Sequence, residues 1–337
     1  MRFSWIRMIR RAWPSLVVML GALLLLPGTA SANLDCNVGQ PILNFGSVDV
    51  NSGTPTTATG SVSFTCTNWN TSATKVWLCM DLGSNVSYPG TVAQPVMNGP
   101  SRLNFQMYRD AALSQVWVKT VAPLQLQFTV PGPTYVNYQP TFATYTGNFT
   151  FYGAIPAGQT GAQAGNYTAT FWDTVVGFQP NGVGQCQERI GGDLSGRTLQ
   201  VDVRANAGNK CTVAATPVNF GSAPPGGSML EASGTITVKC PNQTAYNVGL
   251  LPSNGNVNGV GGLRGTGSNT DVVPYQLRRD GAAGTAWGNT ATPSSVGNGV
   301  AGTGNGNDQA IPVYATVQST SYRADTYSDT VTVFVYY

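Results

Sequence analysis

The chain has 337 residues, 9% of them charged, with 17 basic against 14 acidic side chains and no histidine. Lack of imidazole removes the usual general base, the commonest zinc ligand and any catalytic triad built on histidine. So low a charge, against the roughly 25% usual in globular domains, together with abundant Gly, Thr, Asn, Val and Ser, reads as an extracellular β-protein.

Residues 1–32 read as a secretory signal. Arg2, Arg7, Arg10 and Arg11 form a basic n-region, Leu16 to Leu26 an apolar h-region, and Ala30-Ser31-Ala32 a small-residue cleavage site. The apolar run falls short of the ~20 residues a membrane span needs. Those four arginines carry the positive surplus: the remainder has 13 basic residues against 14 acids. A nearly neutral mature protein starting at Asn33 makes nucleic acid and acidic lipid poor partners.

An internal repeat divides the rest. Cys36 precedes Phe45 of Asn44-Phe45-Gly46 by nine residues, and Cys211 precedes Phe220 of Asn219-Phe220-Gly221 by nine. Cys66 ends the run SVSFTC as Cys240 ends TITVKC, and Asp110 lies seven residues before Trp117 as Asp280 does before Trp287. Tyr152 and Tyr167 match Tyr314 and Tyr327. Two domains are expected, 33–205 and 206–337. Short strands punctuated by Gly, Pro and Asn, without helical periodicity, predict an all-β fold: two immunoglobulin-like antiparallel β-sandwich domains.

In the first copy strands are expected near 44–49, 60–67, 75–82, 103–109, 124–130, 147–155, 167–178 and 197–204. In the second they are expected near 217–221, 233–240, 245–251, 273–279, 309–316 and 327–337. In the last of these Val331, Val333 and Val335 alternate with Thr332, Phe334 and Tyr336, which puts the valines on one core-seeking face and makes Val331, Val333, Val335, Tyr336 and Tyr337 the edge of an open groove. The first copy adds Arg197 to Arg204, whose Leu199, Val201 and Val203 complete its sheet; the C-terminal copy lacks that final strand.

Six cysteines in a secreted chain read as disulfides. A bond present in both copies must be Cys36 to Cys66 and Cys211 to Cys240, leaving Cys79 and Cys186 for each other. A closed loop of about thirty residues is worth roughly 3.6 kcal/mol by the chain-entropy account.

No catalytic residue, metal site or cofactor is expected, and the chain does not read as an enzyme. Paired carboxylates could in principle serve glycoside hydrolysis, but the acids are scattered and Asp110 and Asp280 sit where turn or ion-pair duty suffices. Gly297 to Gly302 matches GxGxxG inside a long Gly/Asn-rich loop with no helix behind it, so dinucleotide binding is not indicated. The loops of the first copy are more informative. Tyr88, Pro89, Val96, Met97, Tyr135, Val136, Tyr138 and Phe178 are more large apolar groups than turns need, and either fold back as minor cores or form an exposed patch that binds a surface.

The Cys/NFG opening, the Arg-Asp/Trp pair and the ending YSDTVTVFVYY resemble the spore coat protein U domain family, over nearly the whole mature chain and more closely in the second copy. That family includes subunits of archaic, Csu-type chaperone/usher pili of Gram-negative bacteria. Its two-domain members resemble tip adhesins, with an N-terminal receptor-binding domain and a C-terminal pilin domain. The resemblance implies a periplasmic chaperone, an outer-membrane usher and the N-terminal donor strand of the next pilin as partners, with an abiotic or host surface as target, attachment and biofilm formation as outcome, and the pilus tip at the cell surface as location. Cys36 as fourth mature residue leaves no extension to donate, so the sequence reads as a subunit that accepts a strand and gives none. A secreted carbohydrate-binding or carbohydrate-active protein and a structural coat protein are the alternatives.

Overall fold

The computed structural model describes residues 34–84, 94–119, 123–180 and 197–337. The signal, Tyr88, Pro89 and Cys186 lie outside the described residues. Every regular element described is a strand.

The first lobe contains β1 (Leu34–Val38), β2 (Ile42–Val48), β3 (Thr56–Asn68), β4 (Thr74–Asp81), β5 (Val96–Asn98), β6 (Arg102–Asn104) and β7 (Gln106–Tyr108). It continues with β8 (Leu124–Val130), β9 (Thr134–Val136), β10 (Gln139–Thr141), β11 (Ala143–Ile155), β12 (Gly165–Pro180) and β13 (Arg197–Ala207). Strands β2, β3, β11 and β7 lie side by side, β8, β4, β12 and β13 form the facing set, and β13 also pairs with β2 and so ties the two together. Between them lie Phe64, Phe105, Trp117, Phe151, Tyr167 and Phe171, all 0–1% exposed. Alternation drives this: in β3, Val62, Phe64 and Cys66 are buried while Ser61, Ser63 and Thr65 face water.

The second lobe comprises β14 (Thr212–Ala215), β15 (Leu230–Lys239), β16 (Ala245–Pro252), β17 (Val260–Arg264), β18 (Val272–Arg278), β19 (Val300–Thr303), β20 (Gln309–Val317) and β21 (Val331–Tyr336). A five-stranded sheet, β14-β15-β20-β18-β17, faces a three-stranded one, β19-β16-β21. Trp287 is fully buried between them, its Nε1–H donating to the Val248 carbonyl at 2.9 Å.

Cys36–Cys66 and Cys211–Cys240 are bonded as the repeat predicts, each tying a lobe's first strand region to its neighbour. Cys79 is buried and disulfide-bonded. Asp110 serves its turn, accepting hydrogen bonds from the Ser114 hydroxyl and from the backbone of Ser114 and Gln115. Those bonds, the Ser114 hydroxyl first, hold its carboxyl below the usual range. The GxGxxG stretch runs into the strand β19.

The lobes meet through polar contacts. Gly208 N–H donates to Val48 O at 3.0 Å, Lys239 Nζ to Asn51 O at 3.0 Å, and Asn242 N–H to Ala162 O at 3.1 Å. β13 continues to Ala207, two residues past the expected boundary at 205.

Candidate docking groove and distal apolar surface

The two copies differ where the NFG motif meets the repeated tyrosine, which lies on β12 in the first copy and ahead of β21 in the second, although the second was expected to be a strand from residue 327. Tyr167 donates its hydroxyl to Gln163 O at 2.7 Å, and Tyr327 donates to Arg323 O at 2.9 Å, the same four-residue reach in each copy. This is the tyrosine corner of immunoglobulin-type sandwiches. Each NFG motif is likewise built alike. Gly46 and Gly221 take φ of 64° and 70°, and their N–H groups donate to Asn44 Oδ1 at 2.9 Å and Asn219 Oδ1 at 2.8 Å. Glycine is needed there because a side chain is strained at such φ.

In the first lobe β13 fills the space between these two features. It runs antiparallel to β12 and parallel to β2, burying Val201, Val203, Ala205 and Ala207 to 5% exposure or less. With that strand in place Leu43 and Phe45 beside it are buried.

Among the described residues of the second lobe nothing occupies the corresponding place. β21 pairs with β16 from Val331 to Tyr336, and no other described strand forms a ladder along its other edge. Residues 217–221, expected as a strand, are not one: no described strand forms a ladder with the segment, and the strand before it, Thr212–Ala215, pairs with β15 as β1 pairs with β3. Val218 and Phe220, counterparts of Leu43 and Phe45, are only partly buried. Between this segment and β21 lies a cavity of about 380 Å³ lined by Val218, Phe220, Leu250, Leu263, Val331 and Val333. A second, of about 530 Å³, continues past Phe220 and Tyr327.

Val331, Val333 and Val335 pack against the core from one side and stay partly open. Tyr336, one residue out of step, packs parallel to the Phe334 ring with centroids 6.0 Å apart, and its hydroxyl donates to Asn289 Oδ1 at 3.1 Å. It lies on the outer face, away from the valines. Tyr337 is exposed. Tyr275 donates to Asp329 Oδ2 at 2.6 Å on the groove wall, and burial first, then this bond, pushes its phenol up. Asp325 lines the second cavity. Hydrogen bonds from the Thr266 hydroxyl, then from Asn269 and the Thr266 backbone, hold its carboxyl well below the usual range.

The expected surface residues separate into groups. Tyr135, Val136 and Tyr138 share one hairpin, β9–β10, whose two-residue turn Asn137-Tyr138 has φ of 49° and 64°, the primed turn that matches strand twist. Tyr138 at its tip is 97% exposed, and Tyr135 and Val136 are also open to solvent. The hairpin adjoins the Asn68 end of β3 and the Ala143 end of β11, whereas the opposite end of β11 leads into the 156–163 loop that touches the second lobe. It therefore stands at the pole away from that lobe. Trp69 and Phe142, exposed at its base with ring centroids 4.3 Å apart, enlarge the patch. Buried Asn68 anchors the base, donating to Ser72 O at 2.8 Å and Pro131 O at 3.0 Å and accepting from the Thr74 hydroxyl at 3.2 Å.

Met97 is not a surface residue. It is fully buried in the first core, because β5 pairs with β6 and with β12 at Thr168 and turns Met97 inward. Val96 is partly buried on the same short strand, near the end of β12 that faces the second lobe. Phe178 is paired with Leu78 within the sheet and packs against the core, so it is a strand residue and not a loop residue.

The fold is similar to that of a solved pilus protein. The crystal structure of the CsuC–CsuE chaperone–tip adhesion subunit pre-assembly complex, from archaic chaperone-usher Csu pili of Acinetobacter baumannii, aligns with a TM-score of 0.50 at 15% identity, over 90% of this chain and 100% of that one. CfaE, the adhesive subunit of CFA/I fimbria of enterotoxigenic Escherichia coli, aligns with a TM-score of 0.28 at 11% identity, over 88% of this chain and 92% of its own. No curated protein matches the sequence. The Spore Coat Protein U domain profile matches residues 23–174 and again 197–334, one match on each copy of the repeat and most of the chain between them, and on that ground the chain belongs to the spore coat protein U domain family.

Proposed function

We propose that the protein is the tip adhesin of an archaic chaperone/usher pilus and acts by binding, not catalysis. The supporting observation is the bare edge of β21 beside an apolar groove, in the place where β13 completes the first lobe. A chaperone strand in the periplasm, and then the N-terminal donor strand of the next pilin at the outer-membrane usher, would fill that groove by β-augmentation. The first domain, 33–205, would carry the adhesive surface and the second, 206–337, the link to the fibre, with Cys79 bonded to Cys186 inside the first. The product is a surface-displayed subunit of a Gram-negative bacterium that mediates attachment and biofilm formation through the distal apolar hairpin.

Periplasmic expression with and without the cognate chaperone tests this. The chain alone is expected to be degraded or aggregated, and with the chaperone to purify as a one-to-one complex that Val333→Asp abolishes. A soluble, stable monomer without the chaperone contradicts the proposal.

A further inference from the structure

On β12 one extra residue breaks the pairing with β13: Phe171 faces Val201 and Thr174 faces Leu199, so Trp172 and Asp173 together oppose Gln200. This is a β-bulge, and it turns both side chains to the outer face of the sheet. Phe171 and Thr174 on either side are fully buried, whereas Trp172 is 53% exposed and the Asp173 side chain 49%. The end of β4 locks the bulge in place. Gly83 N–H donates to Thr174 Oγ1 at 3.0 Å, Trp172 N–H donates to Ser84 O at 3.0 Å, and Ser84 N–H donates to the Asp173 carboxylate. A Cβ on Gly83 would lie 2.4 Å from Thr174 N, so only glycine allows this approach.

The polar groups beside the indole are fixed as well. Lys119 Nζ donates to Asp173 Oδ2 at 2.6 Å and to Ser84 Oγ at 2.7 Å, and among the described residues these contacts use two of the three ammonium protons. Two residues along the same face, ~7 Å by strand rise, Thr170 donates to Asp202 Oδ1 at 2.9 Å and Arg204 pairs with Asp202 Oδ2 at 3.3 Å. Each of these two acids is thus matched by a base. In the second lobe the same number of steps past Tyr327 brings Thr332 and Val333, and β21 pairs with β16 without a break. The exposed tryptophan and its polar neighbours belong to the first lobe alone.

We propose that this bulge is a subsite for a neutral sugar: the Trp172 indole stacks on the apolar face of a pyranose ring, Asp173 accepts from its hydroxyls and Lys119 donates to them. A broad aromatic face with a few fixed donors and acceptors beside it suits a ring that is apolar on one face and hydroxylated at its rim. A purely apolar surface would desolvate Asp173 and Lys119 without giving them new partners, and an anionic ligand would meet Asp173 and Asp202. The subsite shares no residue with the distal hairpin and does not depend on the donor-strand reading.

The test uses the full chain, with its chaperone where solubility requires it and the chaperone alone as blank, titrated with neutral oligosaccharides of glucose, galactose and mannose and with sialylated and uronic acid oligomers. Saturation-transfer NMR identifies the ligand and calorimetry measures it. A neutral oligosaccharide is expected to bind, and the acidic ones about tenfold more weakly or worse. Trp172→Ala should cost about tenfold or more, with Trp172→Phe retaining part of the affinity. Asp173→Asn, which keeps the shape of the bulge, should weaken binding, whereas Tyr138→Ser on the distal hairpin should leave it unchanged. Melting curves of the variants should match the parent, because both side chains face outward. Absence of binding by any neutral oligosaccharide, binding that survives Trp172→Ala, or preference for the acidic oligomers overturns the proposal.

Discussion

A fragment of residues 209–337 produced by itself is expected to aggregate or to melt without cooperativity, whereas 34–208, oxidised, should melt in one cooperative transition. The difference comes from one strand. In the first lobe β13 places Val201, Val203, Ala205 and Ala207 into the core and covers Leu43 and Phe45. In the second lobe Val218, Phe220, Val331, Val333 and Val335 remain partly wet. A donor supplying four or five buried apolar side chains at ~1.5–3 kcal/mol each would contribute on the order of 6–15 kcal/mol, comparable to the ~5–15 kcal/mol that a typical domain holds in total. The bare edge of β21 is also a template for pairing with other chains, which favours aggregation over simple unfolding. Calorimetry and size-exclusion of the two fragments would check this; equal, cooperative, monomeric behaviour would be evidence of a second sheet complete without a donor.

The second large effect concerns the distal hairpin. Replacing Tyr135, Val136 and Tyr138 by Ser or Thr, with Trp69 and Phe142 added in a second variant, should abolish attachment to apolar surfaces while fibre assembly continues. Each side chain is worth ~1.5–3 kcal/mol when buried against such a surface, about tenfold to a hundredfold apiece. Because these residues are exposed and β9–β10 pairs with no other described strand, folding should change little. Tyr138 is the informative position: a bulky side chain at φ of 64° and 97% exposed gains nothing from the core, and Tyr138→Gly should relax the backbone while weakening adhesion. Adhesion assays normalised to the amount of surface fibre separate the two effects, and unchanged attachment would remove the hairpin from the adhesive surface.

Elements with strong period-two alternation and a partner on both sides were legible from the residues, as with β3 and β13, whose buried and exposed positions follow the sequence pattern. The Cys36–Cys66 and Cys211–Cys240 bonds followed from the repeat. Residues 217–221 read as a strand from the Phe45 counterpart, but a strand needs a neighbour and the groove supplies none. The β9–β10 hairpin was hidden because its primed turn uses Asn137-Tyr138, without the glycine that marks such turns in a sequence. Met97 and Phe178 looked like loop residues because burial depends on which short strands dock beside them, a long-range fact that local composition does not carry. Trp69 lay at the end of an ordinary alternating strand, and only the fold brings it to Phe142.

Photo-crosslinking from the groove in cells that assemble the fibre tests the central claim most directly. A crosslinking residue placed at Phe220 or Val333 should join the protein to its chaperone in the periplasm and to one neighbouring subunit at the surface, whereas the same residue at outward-facing Thr332 should join it to neither. If groove positions yield no intermolecular product in assembled fibres, or yield no more than Thr332 does, no donor strand enters there and the account fails.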